Sequence, residues 1–102
     1  MTETRVIRYR TKPECADENA RLISAVFAEL AAHDVADIRY QALRLDDGVT
    51  FVHVAAIDGD SNPLQASPAF ARFQEDLGSR LDDGPVASLA TMVGSHGGVG
   101  GF

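Results

Sequence analysis

The pattern of apolar and polar residues along the 102-residue chain predicts a strand, a helix, two strands, a second helix and a last strand. Residues 5–11 alternate as in a strand, with Ile7 and Tyr9 on one side and Arg8 on the other. Residues 16–33 then repeat apolar positions with the period of an amphipathic helix. The chain therefore opens with a strand that leads into a helix.

Asp46-Asp47-Gly48 is a hairpin signal between two further predicted strands. A two-residue turn places Tyr40 and Ala42 on the same face as His53. A three-residue turn with a bulge places Arg39 and Gln41 there instead. The sequence leaves this register open. The two strands are predicted at residues 38–45 and 49–57.

The second helix has clear end signals. Ser67 is a favourable N-cap, Pro68 suits the first helical position, and Gly84-Pro85 is predicted to end the helix. Residues 86–93 are predicted as the last strand. The glycine-rich segment 94–102 is expected to be mobile unless it docks on a partner.

This order of elements is typical of a ferredoxin-like βαββαβ fold of the α+β class. It predicts one domain over residues 1–102, with its core at about 5–93, in which a four-stranded antiparallel sheet carries two helices on one face. The third strand is apolar on both sides, so the face without helices needs a cover, and a second copy of the chain is the simplest one. Phe51, Ala55 and Ile57 lie on one side of that strand, and Val52, Val54 and Ala56 on the other.

Charge and composition limit the classes of partner and the cellular compartment that are expected for this chain. The net charge is −6 and the basic residues form no run, which disfavours nucleic acid and anionic membranes. One cysteine, Cys15, cannot form an intrachain disulfide and fits a reducing compartment. The first residues form neither a signal peptide nor a membrane span, so a cytoplasmic protein is expected.

Three short motifs resemble the antibiotic biosynthesis monooxygenase type of dimeric α/β-barrel proteins, over roughly residues 5 to 93. The motifs are Arg8-Tyr9-Arg10-Thr11-Lys12-Pro13-Glu14, Asp47-Gly48-Val49-Thr50-Phe51-Val52-His53-Val54 and Pro68-Ala69-Phe70. The resemblance implies a homodimer whose two sheets form a barrel, with a small-molecule pocket between the helices and the sheet of each subunit.

The same resemblance implies a choice of chemistries. Well-known relatives oxidise polycyclic phenols with dioxygen and no cofactor, others degrade haem, and others have no established reaction. Haem-degrading relatives use an Asn on the first strand, a Trp on the third and a His on the second helix. None of these is present at those places in this chain, so haem is disfavoured. Without ligand clusters or phosphate loops, no metal, flavin or other cofactor is expected.

His53 is the best catalytic candidate, because it lies in a central strand between Phe51 and Ala55 on one face. A neutral imidazole there could take a proton from a phenol or enol. The alternative is a core histidine that is satisfied by a backbone or side-chain partner.

Arg8 is a candidate to hold a phenolate or carboxylate, although a salt bridge at the rim or between subunits is the simpler explanation of an arginine in a central strand. Tyr40 is a candidate to orient an oxyanion, if the register brings it beside His53. Three aromatic residues are the candidates for the walls of the binding site: Phe27, Phe51 and Phe73.

With what the resemblance implies, the first hypothesis is a small cofactor-free monooxygenase-like enzyme acting on an aromatic or enolisable molecule. A non-enzymatic ligand-binding or stress-associated barrel is the alternative, and an isomerase on the same scaffold stays open because fold does not fix function. The substrate cannot be identified from the sequence.

Overall fold

A computed structural model describes residues 2–59 and 62–96. The elements follow the predicted order, and residues 97–102 of the predicted mobile tail lie outside the described residues. The elements are β1 (Thr2–Thr11), α1 (Ala16–Ala32), β2 (Ile38–Arg44), β3 (Thr50–Asp58), α2 (Pro68–Glu75), α3 (Leu77–Arg80) and β4 (Leu81–Ala90), with short 3-10 helices at Pro13–Cys15 and Pro63–Ala66.

The sheet has the strand order β2-β3-β1-β4, and every neighbouring pair is antiparallel. β1 and β3 are therefore the central strands, and the helices pack on one face of the sheet. This arrangement confirms the predicted α+β ferredoxin-like fold. Its core joins Tyr9 and Phe51 from the sheet with Ile23, Val26 and Phe73 from the helices.

The β2–β3 hairpin has the register that places Tyr40 and Ala42 on the face of His53. Ala42 pairs with His53, and Tyr40 pairs with Ala55. The amide of Leu45 donates to the carbonyl of Thr50 at 2.8 Å, so four residues rather than two form the turn. Loops of two and four residues give the same alternation, and the same side chains therefore face the helices.

The second predicted helix is shorter than the sequence indicated. α2 ends at Glu75, a single turn forms α3, and β4 already begins at Leu81, so the prediction that Gly84-Pro85 ends the helix is wrong. Gly84 instead lies where β4 shifts register against β1, with φ +93°. A Cβ atom there would lie 3.0 Å from the carbonyl oxygen of Arg8 and 3.1 Å from Cα of Tyr9. The glycine thus permits a β-bulge beside the backbone of Tyr9.

The start of α2 is held by two side chains. The hydroxyl of Ser67 accepts a hydrogen bond from the amide of Phe70 at 3.0 Å, which confirms Ser67 as the N-cap. Glu29 of α1 accepts hydrogen bonds from the Ser67 hydroxyl at 3.1 Å and from the Ala69 amide at 2.7 Å. A carboxylate at a helix N-terminus is favourable, so Glu29 also fixes α2 against α1.

None of the helices in the described residues lies on the opposite face of the sheet. Arg8 points to this face, where it pairs along the backbone with Val52 of β3 and Val86 of β4. Val86 is 64% exposed, and Leu43, which pairs with Val52, is 50% exposed. We refer to this surface as the outer face.

Candidate functional site

A cavity of about 410 Å³ lies between the sheet and the segment that runs from Asn62 through α2 to α3. Its size is within the range of small-molecule sites. Small residues of the sheet, Ala55 and Ala87, make room for it beneath the aromatic rings of α2. Its walls are formed by Arg5, Ile7, Tyr9, Tyr40, His53, Ala55, Ile57, Asn62, Leu64, Gln65, Phe70, Phe73, Gln74, Leu77, Pro85 and Ala87.

Two tyrosines hold an imidazole at the buried end of the cavity. The hydroxyl of Tyr9 lies 2.8 Å from Nε2 of His53. The hydroxyl of Tyr40 lies 2.6 Å from Nδ1 of the same ring. Both nitrogens of His53 are therefore hydrogen-bonded to side chains, as one alternative from the sequence anticipated.

The sheet register produces this arrangement. His53 pairs with Ile7 on one side and Ala42 on the other, so Tyr9 and Tyr40 approach the ring from opposite neighbouring strands and opposite directions along them. The tyrosines are fixed by further rings. Tyr9 stacks on Phe51 at 5.6 Å, and Tyr40 lies against Phe27 at 4.8 Å between ring centroids.

A second polar pair lies behind Tyr9. Asn19 of α1 donates from Nδ2 to the Tyr9 hydroxyl at 2.9 Å, and Arg80 donates from Nε to Oδ1 of Asn19 at 3.0 Å. Arg80 also donates to the carbonyl of Phe73 at 2.7 Å and lies over its ring. Asn19 is completely buried and Arg80 is 4% exposed.

Burial shifts the titration of all three side chains that meet at the imidazole. Desolvation lowers the pKa of His53 to about 4, so the ring is neutral near pH 7. Desolvation also raises the pKa of Tyr9 to about 12, against a smaller opposite effect from the hydrogen bond of Asn19. The pKa of Tyr40 is raised further by burial. The site therefore presents neutral hydrogen-bonding groups.

The open end of the cavity differs from the buried end because it carries a charged side chain. Arg5 is the only charged residue among the described residues that line the cavity, and its side chain is 46% exposed. Its Nε is paired with the carboxylate of Glu3. Arg5 and Tyr40 both pair with Ala55, so their Cα atoms lie about 10 Å apart across the sheet.

The structure brings only part of the predicted site together. His53, Tyr40 and Phe73 line the cavity. Phe51 and Phe27 do not line it and instead support Tyr9 and Tyr40 from behind.

Arg8 requires a correction, because it is exposed on the outer face and does not line the cavity. The physical reason is the strand alternation, which turns Arg8 away from the face of Tyr9. Arg5, which shares the face of Tyr9, is the arginine that reaches the cavity.

The sequence analysis does not select Tyr9, Asn19 or Arg80, although the patterns around Tyr9 and Asn19 indicate that both are buried. Tyr9 continues the inward alternation of the first strand. Asn19 is a polar residue in helical phase with the buried Ile23 and Val26. Polar groups in an apolar stripe are buried and need partners, so they are candidates for a hydrogen-bonded network.

Neither a cluster of metal ligands nor a membrane-spanning helix is present in the part of the chain that the structure describes. Residues 2–59 and 62–96 contain no group of three or more His, Cys, Asp or Glu side chains that could hold a metal ion. Within the same ranges, no helix is long and apolar enough to cross a membrane.

No protein-family model matches the sequence, and no curated protein matches it. Solved structures do match the fold. A proposed antibiotic biosynthesis monooxygenase from Bacteroides thetaiotaomicron superposes with a TM-score of 0.73 at 14% identity, covering 93% of this chain and 92% of that one. A second from Nitrosomonas europaea has a TM-score of 0.72 at 8% identity and covers 90% of each chain.

A mutant of SnoaB, a cofactor-independent oxygenase from Streptomyces nogalater, has a TM-score of 0.65 at 19% identity and covers 94% of this chain and 97% of that one. At such identities the match concerns the backbone arrangement, and function does not follow from it. The predicted resemblance is thereby confirmed at the level of structure: over almost its whole length, the chain has the fold of antibiotic biosynthesis monooxygenase proteins.

Proposed function

We propose that this protein is a cofactor-independent monooxygenase that acts on an aromatic or enolisable small molecule. The observation that carries the proposal is the cavity itself, whose apolar walls end at the hydroxyl of Tyr40 and the ring of His53. The likeness to a cofactor-independent oxygenase in fold supports the choice of reaction.

The walls favour a flat apolar ligand. Phe70 and Phe73 of α2 form one side of the cavity, with ring centroids 6.1 Å apart, and Ala55 forms the opposite side. Aromatic rings pack well against such surfaces. An oxygen substituent on the ring of the ligand then contacts the hydroxyl of Tyr40. His53 acts on that oxygen through this hydroxyl.

The reaction needs no external reductant when the substrate is a phenol. The phenol loses its O–H hydrogen and one ring C–H hydrogen, and dioxygen supplies one oxygen atom to a new carbonyl and the other to water. The product is a quinone, and the phenol supplies all four electrons. The contribution of the protein is to bind the phenol and to stabilise its oxyanion by hydrogen bonding.

We also propose that two copies of the chain associate through the outer face. Exposed apolar side chains on this face, Leu43 and Val86, are the kind of surface that a soluble protein covers with a partner. The proposal leaves the cavity accessible, because the cavity lies on the other face of the sheet.

Oxygen uptake with a panel of naphthols and dihydroxynaphthalenes tests the activity. We expect uptake with at least one member, a quinone product, and one atom of isotopically labelled dioxygen in that product. Tyr40→Phe should lower the rate about 100-fold, the effect of removing one donor to a developing oxyanion. Arg72→Gln, on an exposed position of α2, is the control and should leave the rate unchanged.

The second candidate function is non-enzymatic binding of the same ligands. It is favoured by the hydrogen bonds at both nitrogens of His53, which leave neither nitrogen free to contact a ligand. Binding of naphthols without oxygen uptake across the panel would support this candidate and contradict the monooxygenase.

A further inference from the structure

We infer that Arg80 and Asn19 hold His53 in the tautomer with its proton on Nδ1, and so make the Tyr40 hydroxyl a hydrogen-bond donor toward the cavity. The part of the inference that concerns the ligand rests on the proposed function. The tautomer itself is a property of the protein alone.

The chain of hydrogen bonds begins at Arg80, whose guanidinium can only donate. Its Nε donates to Oδ1 of Asn19 at 3.0 Å, and Nη2 donates to the carbonyl of Phe73 at 2.7 Å. These contacts fix the orientation of the Asn19 amide, because its oxygen must face Arg80. The Nδ2 group of Asn19 therefore faces Tyr9 as a donor, at 2.9 Å.

The orientation of the Asn19 amide also determines which atom donates in the hydrogen bond between Tyr9 and the imidazole. Its oxygen accepts from Asn19, so its own hydrogen is directed to Nε2 of His53 at 2.8 Å. The opposite tautomer would place two donors on the oxygen of Tyr9. The Tyr9 hydrogen would then have no acceptor among its contacts in the described residues, and an unsatisfied buried donor is unfavourable.

The last step reaches the cavity. Burial keeps the His53 ring neutral, so with Nε2 as acceptor the single ring proton is on Nδ1. Nδ1–H donates to the oxygen of Tyr40 at 2.6 Å. The hydrogen of Tyr40 is not used in this bond and is available to a ligand, since Tyr40 lines the cavity.

This direction determines the type of oxygen that the site binds. A donor at Tyr40 recognises a carbonyl or a phenolate oxygen, both of which accept hydrogen bonds. It stabilises the ionised form of a phenol. Asn19 and Arg80 are positioning residues in this mechanism, because they act through Tyr9 and His53.

Nitrogen NMR of protein labelled with ¹⁵N-histidine tests the tautomer directly. Protonated and unprotonated ring nitrogens differ widely in chemical shift, and the signals of His53 are those lost in His53→Gln. Near pH 7 we expect Nδ1 to be protonated and Nε2 to be unprotonated. A protonated Nε2, or a ring that exchanges rapidly between both tautomers, would overturn the inference without any assay of activity.

Asn19→Asp tests the origin of the direction. The new carboxylate can only accept, and it would lie beside the buried cation of Arg80. The Tyr9 hydroxyl should then donate to the carboxylate, Nε2 should become the protonated nitrogen, and Tyr40 should donate to Nδ1. Asn62→Asp adds the same charge on the cavity wall, outside the chain of hydrogen bonds, and should leave the Nδ1–H tautomer unchanged. An unchanged tautomer in folded Asn19→Asp would refute the role of Asn19, and if this variant does not fold, the parent spectrum still decides the tautomer.

Two ligands test the donor at Tyr40. 1-Tetralone carries a carbonyl that only accepts, and tetralin has the same skeleton without oxygen. Tyr40→Phe should weaken tetralone binding about fivefold, the effect of one neutral hydrogen bond, with little effect on tetralin. Equal changes for both ligands would overturn the donor role. If the parent binds neither ligand, the proposed function fails, and the spectrum alone decides the tautomer.

Discussion

The phenol oxygen of Tyr9 lies 2.8 Å from Nε2 of His53, in a place where the two residues are only 3% and 4% exposed. The contact joins two central strands, and neither partner has ready access to water. Since each side chain is hydrogen-bonded in its neutral form, ionisation of either one opposes folding. The stability of the protein should therefore report on this pair at both ends of the pH scale.

At the acid end, the free energy of unfolding should decrease as the pH falls from about 6.5 to about 4. In this window the unfolded chain binds a proton on His53 and the folded protein does not, because burial lowers the pKa of His53 to about 4. The loss amounts to about 3 kcal/mol for a shift of this size.

Urea unfolding of the parent and of His53→Gln, at neutral pH and near pH 4, isolates this effect, because the carboxylates titrate alike in both proteins. We expect the parent to lose about 3 kcal/mol more than the variant between the two conditions. Equal losses would mean that folding does not lower the pKa of His53, so that the folded protein also binds the proton near pH 4.

At the alkaline end, the two tyrosines should resist ionisation. The chain contains two tyrosines and no tryptophan, so its phenolate absorbance comes from Tyr9 and Tyr40 alone. Their pKa values are raised by burial, that of Tyr9 to about 12. We expect almost no phenolate absorbance from the folded protein at about pH 10, where tyrosines of the urea-unfolded chain are half ionised.

Above about pH 10 the free energy of unfolding should also decrease, because the unfolded chain releases protons that the folded protein retains. A folded protein that shows half of the unfolded phenolate signal at this pH would contradict the buried network. The chain without urea and the chain in urea thus serve as each other's control.

The sequence is sufficient to predict the fold, because the fold depends on local alternation and on the order of elements. It also places Tyr40 on the face of His53 for one of the two possible turns, since a strand pattern assigns each residue to a face. The choice between Tyr40 and Gln41 needed the exact length of a turn, which the Asp-Asp-Gly sequence does not specify.

Arg80 and Asn19 could not be placed from the sequence, because their contact is between residues 61 positions apart. Gly84 shows a second limit of prediction from the sequence. Gly-Pro after a helical pattern is a normal end signal, and only the pairing of β4 with β1 shows that the glycine belongs to a bulge.

Gly84 and Gly78 should respond in opposite ways to alanine. Gly84→Ala adds a Cβ atom 3.0 Å from the Arg8 carbonyl at a φ of +93°, and should decrease the free energy of unfolding by more than about 1 kcal/mol. Gly78→Ala has no atom within 4 Å of the new Cβ, and should raise it by up to about 1 kcal/mol because alanine favours the helix. Thermal unfolding of both variants measures the difference. A neutral Gly84→Ala would show that the bulge can relax.

The proposed dimer should depend on the outer face. We expect light scattering at micromolar concentration to give twice the mass of the chain, and the interface to bury more than about 1,200 Å². Leu43→Asp places a charge on the outer face and should produce monomers, whereas Val93→Asp, at a position 98% exposed beyond β4, should not. A parent protein that is a stable monomer would contradict the association.

The open end of the cavity should select for a negative charge on the ligand. The Cα atoms of Arg5 and Tyr40 lie about 10 Å apart across the sheet and both side chains line the cavity, so we expect one ligand to place an oxygen at Tyr40 and a carboxylate at Arg5. Because Arg5 is half exposed and already paired with Glu3, the gain should be modest, about two- to fivefold in affinity.

Calorimetry with a hydroxynaphthoic acid and its neutral amide measures this gain in affinity. Arg5→Gln should weaken binding of the acid alone, and Glu3→Gln, which frees the guanidinium, should strengthen it. Both effects should diminish with added salt, since exposed charges are screened. If Arg5→Gln changes the affinity for acid and amide equally, Arg5 contributes to the shape of the cavity and not to its charge selectivity.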